Sequence, residues 1–147
     1  MDIGYKLLYW MIFANSKKMK REYKMLLIGC FTIALFDTLG AIASKQINFN
    51  YTVLAVISFI IYGTFAFWAA KEKNLGTGVL IAAAIGLFDS TAGWEISILL
   101  KANTGNLKSD PTVIVWIMTA IFVTGLAALC GLIGGGAAKI IKRKALN

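Results

Sequence analysis

The chain has 147 residues, of which 59% are hydrophobic and 15% are charged. A soluble domain typically carries about 25% charged residues, and a disordered chain is richer in charge and poorer in apolar residues. The composition therefore excludes both classes and predicts an integral membrane protein. The net charge is +8, but the basic residues lie at the ends of apolar runs. Binding to nucleic acid needs them along one face, so it is not expected.

Composition also argues against catalysis and metal binding. The sequence contains no His, and its two cysteines, Cys30 and Cys130, lie in separate apolar runs. Zinc and haem sites usually need His or closely spaced Cys, and a nucleophilic Ser or Cys needs a nearby base. We therefore expect no metal, no cofactor and no enzymatic activity. Both cysteines are interpreted as small buried apolar residues.

Residues 1–24 hold a short apolar core, Leu7 to Ala14, followed by a dense basic run. The core is too short to cross a bilayer, which takes about 20 residues. In a signal peptide the basic residues precede the apolar core, whereas here they follow it. Aromatic rings in and around the core favour the headgroup layer. We therefore predict an N-terminal amphipathic helix lying at the membrane interface, joined to a basic cytoplasmic segment.

Four longer apolar stretches follow, over residues 25–44, 51–70, 76–100 and 113–138. Each is long enough to cross about 30 Å of hydrocarbon as a helix that rises about 1.5 Å per residue. None shows the alternation of barrel strands, and lipid tolerates only helices and closed barrels. The sequence therefore predicts an all-α fold with four transmembrane helices, termed spans 1 to 4. A basic tail over residues 139–147 is expected to rest on anionic lipid.

The distribution of Lys and Arg predicts the orientation of this bundle. One side receives the N-terminal segment, the connection between spans 2 and 3, and the C-terminal tail. It carries all the basic residues except Lys45, Lys101 and Lys108, which fall on the other side. The positive-inside rule therefore places both termini in the cytoplasm. We expect a multi-pass protein of the cell inner membrane.

Spans 1 and 3 share a short pattern that contains an aspartate. Residues 34–44 read ALFDTLGAIAS, and residues 86–97 read GLFDSTAGWEIS. In both copies a Gly follows the Asp and a Ser follows that Gly by four residues, but the second copy has one extra residue between Asp and Gly. Because both spans run in the same direction, a repeat would be a parallel 2+2 arrangement of helix pairs. Spans 2 and 4 show no matching pattern, so the repeat is a hypothesis.

The two aspartates, Asp37 and Asp89, lie well inside their spans. No Lys or Arg occurs in any of the four spans. A charged Asp at the middle of a bilayer costs about 2.5–3.5 kcal/mol. Such acids are expected to be protonated, to share a proton or bind a cation, or to face a water-filled cavity. A third acid, Glu95, lies on a different helix face near the end of span 3, where an interfacial carboxylate is favoured over the mouth of a polar route.

Small and hydroxyl residues recur at spacings of three and four on the same face as each aspartate, which favours close helix contacts there. Spans 1 and 3 are therefore expected to pack near each other, with the aspartates directed into the bundle. The candidate ion- or proton-binding residues are Asp37, Asp89, Glu95, Thr38 and Ser90. The candidate helix-packing residues are Gly40, Gly86, Gly93, Gly131 and Gly135.

Three functions are consistent with this sequence. The first is a small proton- or cation-linked transporter or channel with Asp37 and Asp89 as the exchange site, because intramembrane acids mark ion pathways. The second is a non-catalytic accessory or assembly subunit in which the acids fix helix contacts. The third is a holin-like protein that permeabilises membranes. The lipid bilayer is the expected partner, and the small-residue faces predict a homo-oligomer or a larger membrane complex.

Overall fold

The computed structural model describes residues 20–105 and 112–144. Residues 1–19, which hold the predicted interfacial helix, and residues 145–147 of the predicted tail lie outside this part of the chain. The helices are α1 (Arg21–Ile47), α2 (Ala55–Glu72), α3 (Leu75–Phe88), α4 (Trp94–Leu99) and α5 (Val113–Lys144), with a 3₁₀ turn at Tyr51–Leu54 and a π-helical segment at Asp89–Gly93. The described residues contain no strand.

The helices form four units, each long and apolar enough to cross a membrane. They are Arg21–Ile47, Tyr51–Glu72, Leu75–Leu99 and Val113–Lys144. The prediction of an all-α fold with four such helices is therefore confirmed. The helices run beyond the apolar stretches, because hydropathy marks the hydrocarbon length while flanking Arg, Lys and Glu are good helix formers. In particular, α5 continues past residue 138, where span 4 was predicted to end, and ends at Lys144.

The hairpin of α2 and α3 forms the centre of the molecule. The chain turns between them at Lys73 and Asn74, and the Asn74 side chain caps α3 by accepting from the Thr77 N–H at 2.9 Å. Helix α5 packs along one side of the hairpin and α1 along the other. Within the described residues α1 and α5 do not contact each other. The two outer helices are therefore joined only through α2, α3 and the segments that follow α3.

Small residues bring α5 close to the hairpin. A Cβ atom built on Gly134 would overlap the Gly63 carbonyl oxygen on α2 and lie 2.9 Å from the carbonyl carbon. A Cβ on Gly86 of α3 would overlap the Ala127 methyl group of α5. Such contacts let helix backbones approach closely, which strengthens dispersion contacts between apolar helices. The same packing continues at Gly131 against Ala82 and Val79, and at Gly135 against Leu75 and Ala70.

The two ends of the bundle differ in chemistry. At the basic end, which we define by Arg21, Lys73 and Lys144, exposed ion pairs join Arg21 to Glu72 and Lys73 to Glu22. At the opposite asparagine end, which we define by Asn48, Asn50 and Asn103, side chains and backbone link the two loops. The Asn103 N–H donates to Ser44 Oγ at 3.1 Å, and its carbonyl accepts from the Tyr51 N–H at 2.7 Å. These bonds fix the 3₁₀ turn that carries Tyr51.

Large apolar side chains cover the outside of the bundle. On α1 they include Phe31 and Leu39, and on α5 they include Ile121 and Ile133, all more than half exposed. Only 6% of the most apolar 18-residue stretch of α5 is buried inside the molecule. A soluble protein rarely leaves apolar patches of this extent in water. The surface is therefore typical of a protein whose helices contact lipid or other membrane helices.

The contact between Gly134 and Gly63 yields a test of this packing. Gly134→Ala should lower the free energy of unfolding by about 1–3 kcal/mol, because the new methyl group meets backbone atoms that cannot move aside. Gly136→Ala is the matched control, since no atom lies within 4 Å of a Cβ at that position. It should be neutral or raise stability by up to about 1 kcal/mol. Circular dichroism during unfolding in detergent measures both. Equal effects of the two substitutions would contradict the close contact.

Candidate functional site

The first aspartate lies on the buried face of α1. The residues of this face that turn inward are Gly29, Ile33, Asp37, Gly40, Ala41 and Ser44. Asp37 is only 3% exposed, although it is an acid in an apolar helix. Contacts of α1 with α3, the π-helical segment and α4 place it next to the second aspartate. The side of α1 opposite Asp37 is apolar and exposed.

The second aspartate begins a π-helical segment, Asp89–Gly93, that interrupts the unit formed by α3 and α4. A π turn contains one residue more than an α turn, and such segments are frequent at functional sites. This segment coincides with the extra residue in the second copy of the LFD pattern. The wider turn absorbs that residue, so Gly93 and Ser97 remain buried as their counterparts Gly40 and Ser44 are.

Helix α5 completes the hydrogen bonding of the π-helical segment. The Trp94 N–H donates to the Asp89 carbonyl, five residues earlier. In a regular α-helix this N–H would donate to the Ser90 carbonyl instead. The indole Nε1–H of Trp116 donates to that carbonyl at 3.2 Å. Trp116 therefore ties α5 to the segment that carries Asp89.

Two tyrosines donate hydrogen bonds to the aspartates. The Tyr51 hydroxyl on the 3₁₀ turn donates to Asp37 Oδ1 at 2.8 Å. The Tyr62 hydroxyl on α2 donates to Asp89 Oδ2. Tyr62 is 1% exposed, and the buried Ser58 lies one turn before it, beside the same aspartate. The unit that contains α2 therefore supplies a donor to each acid and connects α1 with the π-helical segment.

The remaining carboxyl oxygens of the two aspartates approach the same point next to Gly93. A Cβ atom built on Gly93 would have both Asp37 Oδ2 and Asp89 Oδ1 within 3.0 Å. The two oxygens are therefore less than about 6 Å apart, and the side chains come within hydrogen-bonding reach of each other. Only glycine fits here, because any side chain would enter the space that the carboxyl groups occupy. We call Asp37 and Asp89 the aspartate pair.

One oxygen of the pair lacks a donor. Asp37 Oδ2 is buried and forms no hydrogen bond within the described residues. A buried acceptor without a donor costs about 1–3 kcal/mol, and more if it is charged. Two full charges less than about 6 Å apart would also repel by at least about 3 kcal/mol at an effective dielectric constant of 20. The geometry therefore favours a bound proton or cation between the two carboxyl groups.

The other predicted site residues, Thr38, Ser90 and Glu95, form no hydrogen bond to the aspartates within the described residues. The Thr38 hydroxyl donates to the Ala34 carbonyl at 2.7 Å, and the Ser90 hydroxyl donates to the Leu87 carbonyl at 3.1 Å. Both therefore bond to their own helix rather than to a carboxyl group. Glu95 is exposed on α4 and separate from the aspartate pair. Among the predicted packing residues, Gly40 leaves room for the Tyr51 ring, which a Cβ atom would approach to 3.3 Å.

Sequence reasoning missed the two tyrosines and Trp116. Tyr51 opens span 2 and Trp116 lies near the start of span 4, positions where an aromatic residue is ordinarily expected at the membrane interface. Tyr62 carried a usable signal, because a hydroxyl near the middle of a span needs a partner in lipid. An unpaired acid on a neighbouring span is the natural acceptor. Their pairing depends on how the helices pack, which the sequence pattern does not contain.

The hydrogen bond from Trp116 yields a second test. Trp116→Phe keeps an aromatic ring but leaves the Ser90 carbonyl without this donor, so the free energy of unfolding should fall by about 1–3 kcal/mol. Trp68→Phe is the control, because Trp68 is half exposed and should change stability little. Denaturant titration followed by circular dichroism measures both. If Trp116→Phe is no more destabilising than its control, the bond does not support the π-helical segment.

Comparison with known proteins adds no relative to this description. No family model matches the chain, no curated protein matches it, and no solved structure matches it. The aspartate pair and the apolar surface around it are therefore the features that bear on its function.

Proposed function

We propose that this chain is a small polytopic membrane protein that acts as a proton- or cation-linked transporter or channel, with the aspartate pair as its exchange site. The observation that carries the proposal is the buried Asp37 Oδ2, which has no donor in the described residues and faces the Asp89 carboxyl group. A site built only to hold helices together has no need of an acceptor left open. An exchange site must both bind and release its ligand. An acceptor whose hydrogen-bond partner is the ligand itself becomes free again when the ligand leaves.

The absence of a basic partner supports the same proposal. Residues 25–44, 51–70, 74–100 and 112–138 contain no Lys or Arg. A permanent ion pair would neutralise the acids and prevent exchange, whereas acids without such a partner mark ion and proton routes in membrane proteins. The charge of the pair is then set by the ligand that it binds. Binding and release of the ligand therefore change the electrostatic free energy of the helix bundle. Ligand binding can in this way shift the balance between conformations of the bundle.

The charges at the two ends support an orientation. The basic end gathers the start of α1, the turn between α2 and α3, and the last turns of α5. The asparagine end carries Lys45 and Lys101. By the positive-inside rule the basic end faces the cytoplasm, with both termini on that side of the inner membrane. The aspartate pair then lies nearer the outer surface, because Asp37 is ten residues before Ile47, or about 15 Å by the helical rise.

An accessory or assembly subunit is the second candidate. It is favoured by the bonds from Tyr51 and Tyr62, which tie α1 and the π-helical segment to the unit that contains α2. In this role the aspartates would act only as acceptors that hold the helices in register. The exposed apolar face of α5 would then contact a larger partner or a second copy of the chain. The two candidates differ in what happens when a carboxyl group is replaced by an amide.

Transport by reconstituted protein tests the proposal. In liposomes with an internal pH dye, a proton or monovalent-cation gradient should drive flux through the wild type. Asp37→Asn or Asp89→Asn should reduce that flux at least tenfold, because an amide cannot take up and release a proton or neutralise a cation. Glu95→Gln is the matched control, since this acid is exposed and apart from the pair, and its flux should stay at the wild-type level.

The same preparations separate the two candidates. Each variant is first shown to be monodisperse in detergent and to retain its helical content. Folded Asp89→Asn with unchanged flux would contradict the exchange site, and so would a wild type that carries neither protons nor monovalent cations. Co-purification with one larger membrane complex, together with absent flux, would favour the accessory subunit.

A further inference from the structure

We propose that the ligand of the aspartate pair is a single proton held between Asp37 Oδ2 and Asp89 Oδ1, and that the site does not take a metal cation. This inference rests on the proposed function, because it names the ion that the same site binds. Binding adds one proton to one carboxylate and breaks no bond, so release returns the same two carboxylates. The four carboxyl oxygens have a limited number of hydrogen-bond donors, which sets how many protons they hold.

The tyrosines leave room for one further hydrogen. Asp37 Oδ1 accepts from Tyr51, and Asp89 Oδ2 accepts from Tyr62. The other two oxygens face each other beside Gly93, and one of them, Asp37 Oδ2, has no donor. One carboxyl hydrogen between these inner oxygens gives each acid a hydrogen-bond partner on both of its oxygens. A second carboxyl hydrogen would find no free acceptor among the four carboxyl oxygens. It would need the Ser58 hydroxyl beside Asp89 to accept it, or a tyrosine hydroxyl to turn around.

The same geometry disfavours a metal ion. Ca²⁺ takes 6–8 oxygen ligands and Mg²⁺ takes six, usually including several waters. Residues 20–105 and 112–144 contain no group of three or more His, Cys, Asp or Glu side chains that could hold a metal ion. The inner oxygens also lie directly against the Gly93 backbone, within 3.0 Å of the position of its absent Cβ. Two oxygens that lie against a helix backbone are enough to hold a proton, but they are too few to complete the coordination of a metal ion.

Each titratable or charged group that the described residues place near the pair is consistent with this assignment. The unit containing α2 contributes Tyr51 and Tyr62, both as hydrogen-bond donors. The part of α5 that crosses the bundle contributes Trp116, which bonds to the Ser90 carbonyl and carries no charge. On the helices of the aspartates the next charged residues are Lys45 and Glu95, both exposed. A shared proton therefore lowers the negative charge of the pair, which no basic side chain does in the part of the chain that the structure describes.

Infrared spectroscopy of purified protein in detergent near pH 7 tests the shared proton. A protonated carboxyl group gives a C=O stretching band that shifts in D₂O, whereas a carboxylate gives none in that region. The wild type should show this band with the area of one carboxyl group, calibrated against the amide band. Glu95→Gln is the control and should leave the band unchanged.

The single substitutions distinguish one shared proton from two separate ones. In Asp89→Asn the new amide can donate to Asp37 Oδ2, so the remaining acid no longer needs a proton and the band should disappear. Asp37→Asn should abolish it in the same way. If each variant retains one band, or if the wild type shows an area of two carboxyl groups, the acids are protonated independently and the inference is overturned. The wild-type area decides this outcome even if a variant fails to fold.

The spectrum and the flux measurement can fail separately. A wild type without the band, whose aspartate-dependent flux requires Na⁺ or K⁺, would overturn the shared proton while retaining the proposed transport. A wild type with the band of one carboxyl group but no flux would keep the shared proton and remove the transport role. Titration calorimetry with NaCl, KCl and MgCl₂ completes the test, because saturable heat that is lost in Asp89→Asn would show that a metal cation binds at the pair.

Discussion

The structure depends on the need of two buried carboxyl groups for hydrogen-bond donors, because the four apolar stretches carry no Lys or Arg that could pair with them. Each aspartate is carried by a different helical unit, and neither finds a donor on its own helix. The hydroxyls of Tyr51 and Tyr62 supply one bond each. Because both tyrosines belong to the unit between these helices, satisfying the acids also brings α1 and the π-helical segment against it. The hydrogen bonds and the helix packing therefore act together, because apolar contacts alone would let the helices slide past one another.

The π-helical segment lets a one-residue difference between spans 1 and 3 coexist with a common inward face. Without it, the residue inserted after Asp89 would rotate everything that follows by about 100° around the helix axis. Gly93 would then leave the carboxyl groups, and Ser97 would leave the buried face. The wider turn avoids this rotation, but the Trp94 N–H then donates to the Asp89 carbonyl and not to the Ser90 carbonyl. The Ser90 carbonyl accepts from the Trp116 indole instead. The irregular backbone, Trp116 and the glycine beside the acids thus form one connected feature.

The sequence predicts the features that depend on local pattern and leaves out those that depend on packing. The number of helices and the buried face of α1 follow from hydropathy and from the spacing of small residues around Asp37. The π-helical segment was present only as an unexplained extra residue, because its geometry is set by the helices packed around it. Thr38 and Ser90 were plausible donors by proximity along the chain. In the structure their hydroxyls bond to carbonyls one turn earlier, which satisfies a hydroxyl in an apolar helix without any tertiary partner.

The two ends of the bundle offer a ligand of the aspartate pair unequal routes. Toward the basic end, the pair is followed by tightly packed apolar residues, including Ile33, Phe65 and Ile85, and beyond them Gly78 of α3 lies directly against the Ala66 carbonyl of α2. Toward the asparagine end, the pair is covered by Tyr51 on a four-residue turn with exposed neighbours. That turn is held to the opposite loop by the bond from the Tyr51 N–H to Asn103. Within residues 20–105 and 112–144, opening this turn breaks few contacts, whereas opening the basic end separates closely packed helices. Under the proposed function, exchange at the asparagine end therefore requires the smaller rearrangement, and the structure is closed more firmly at the basic end.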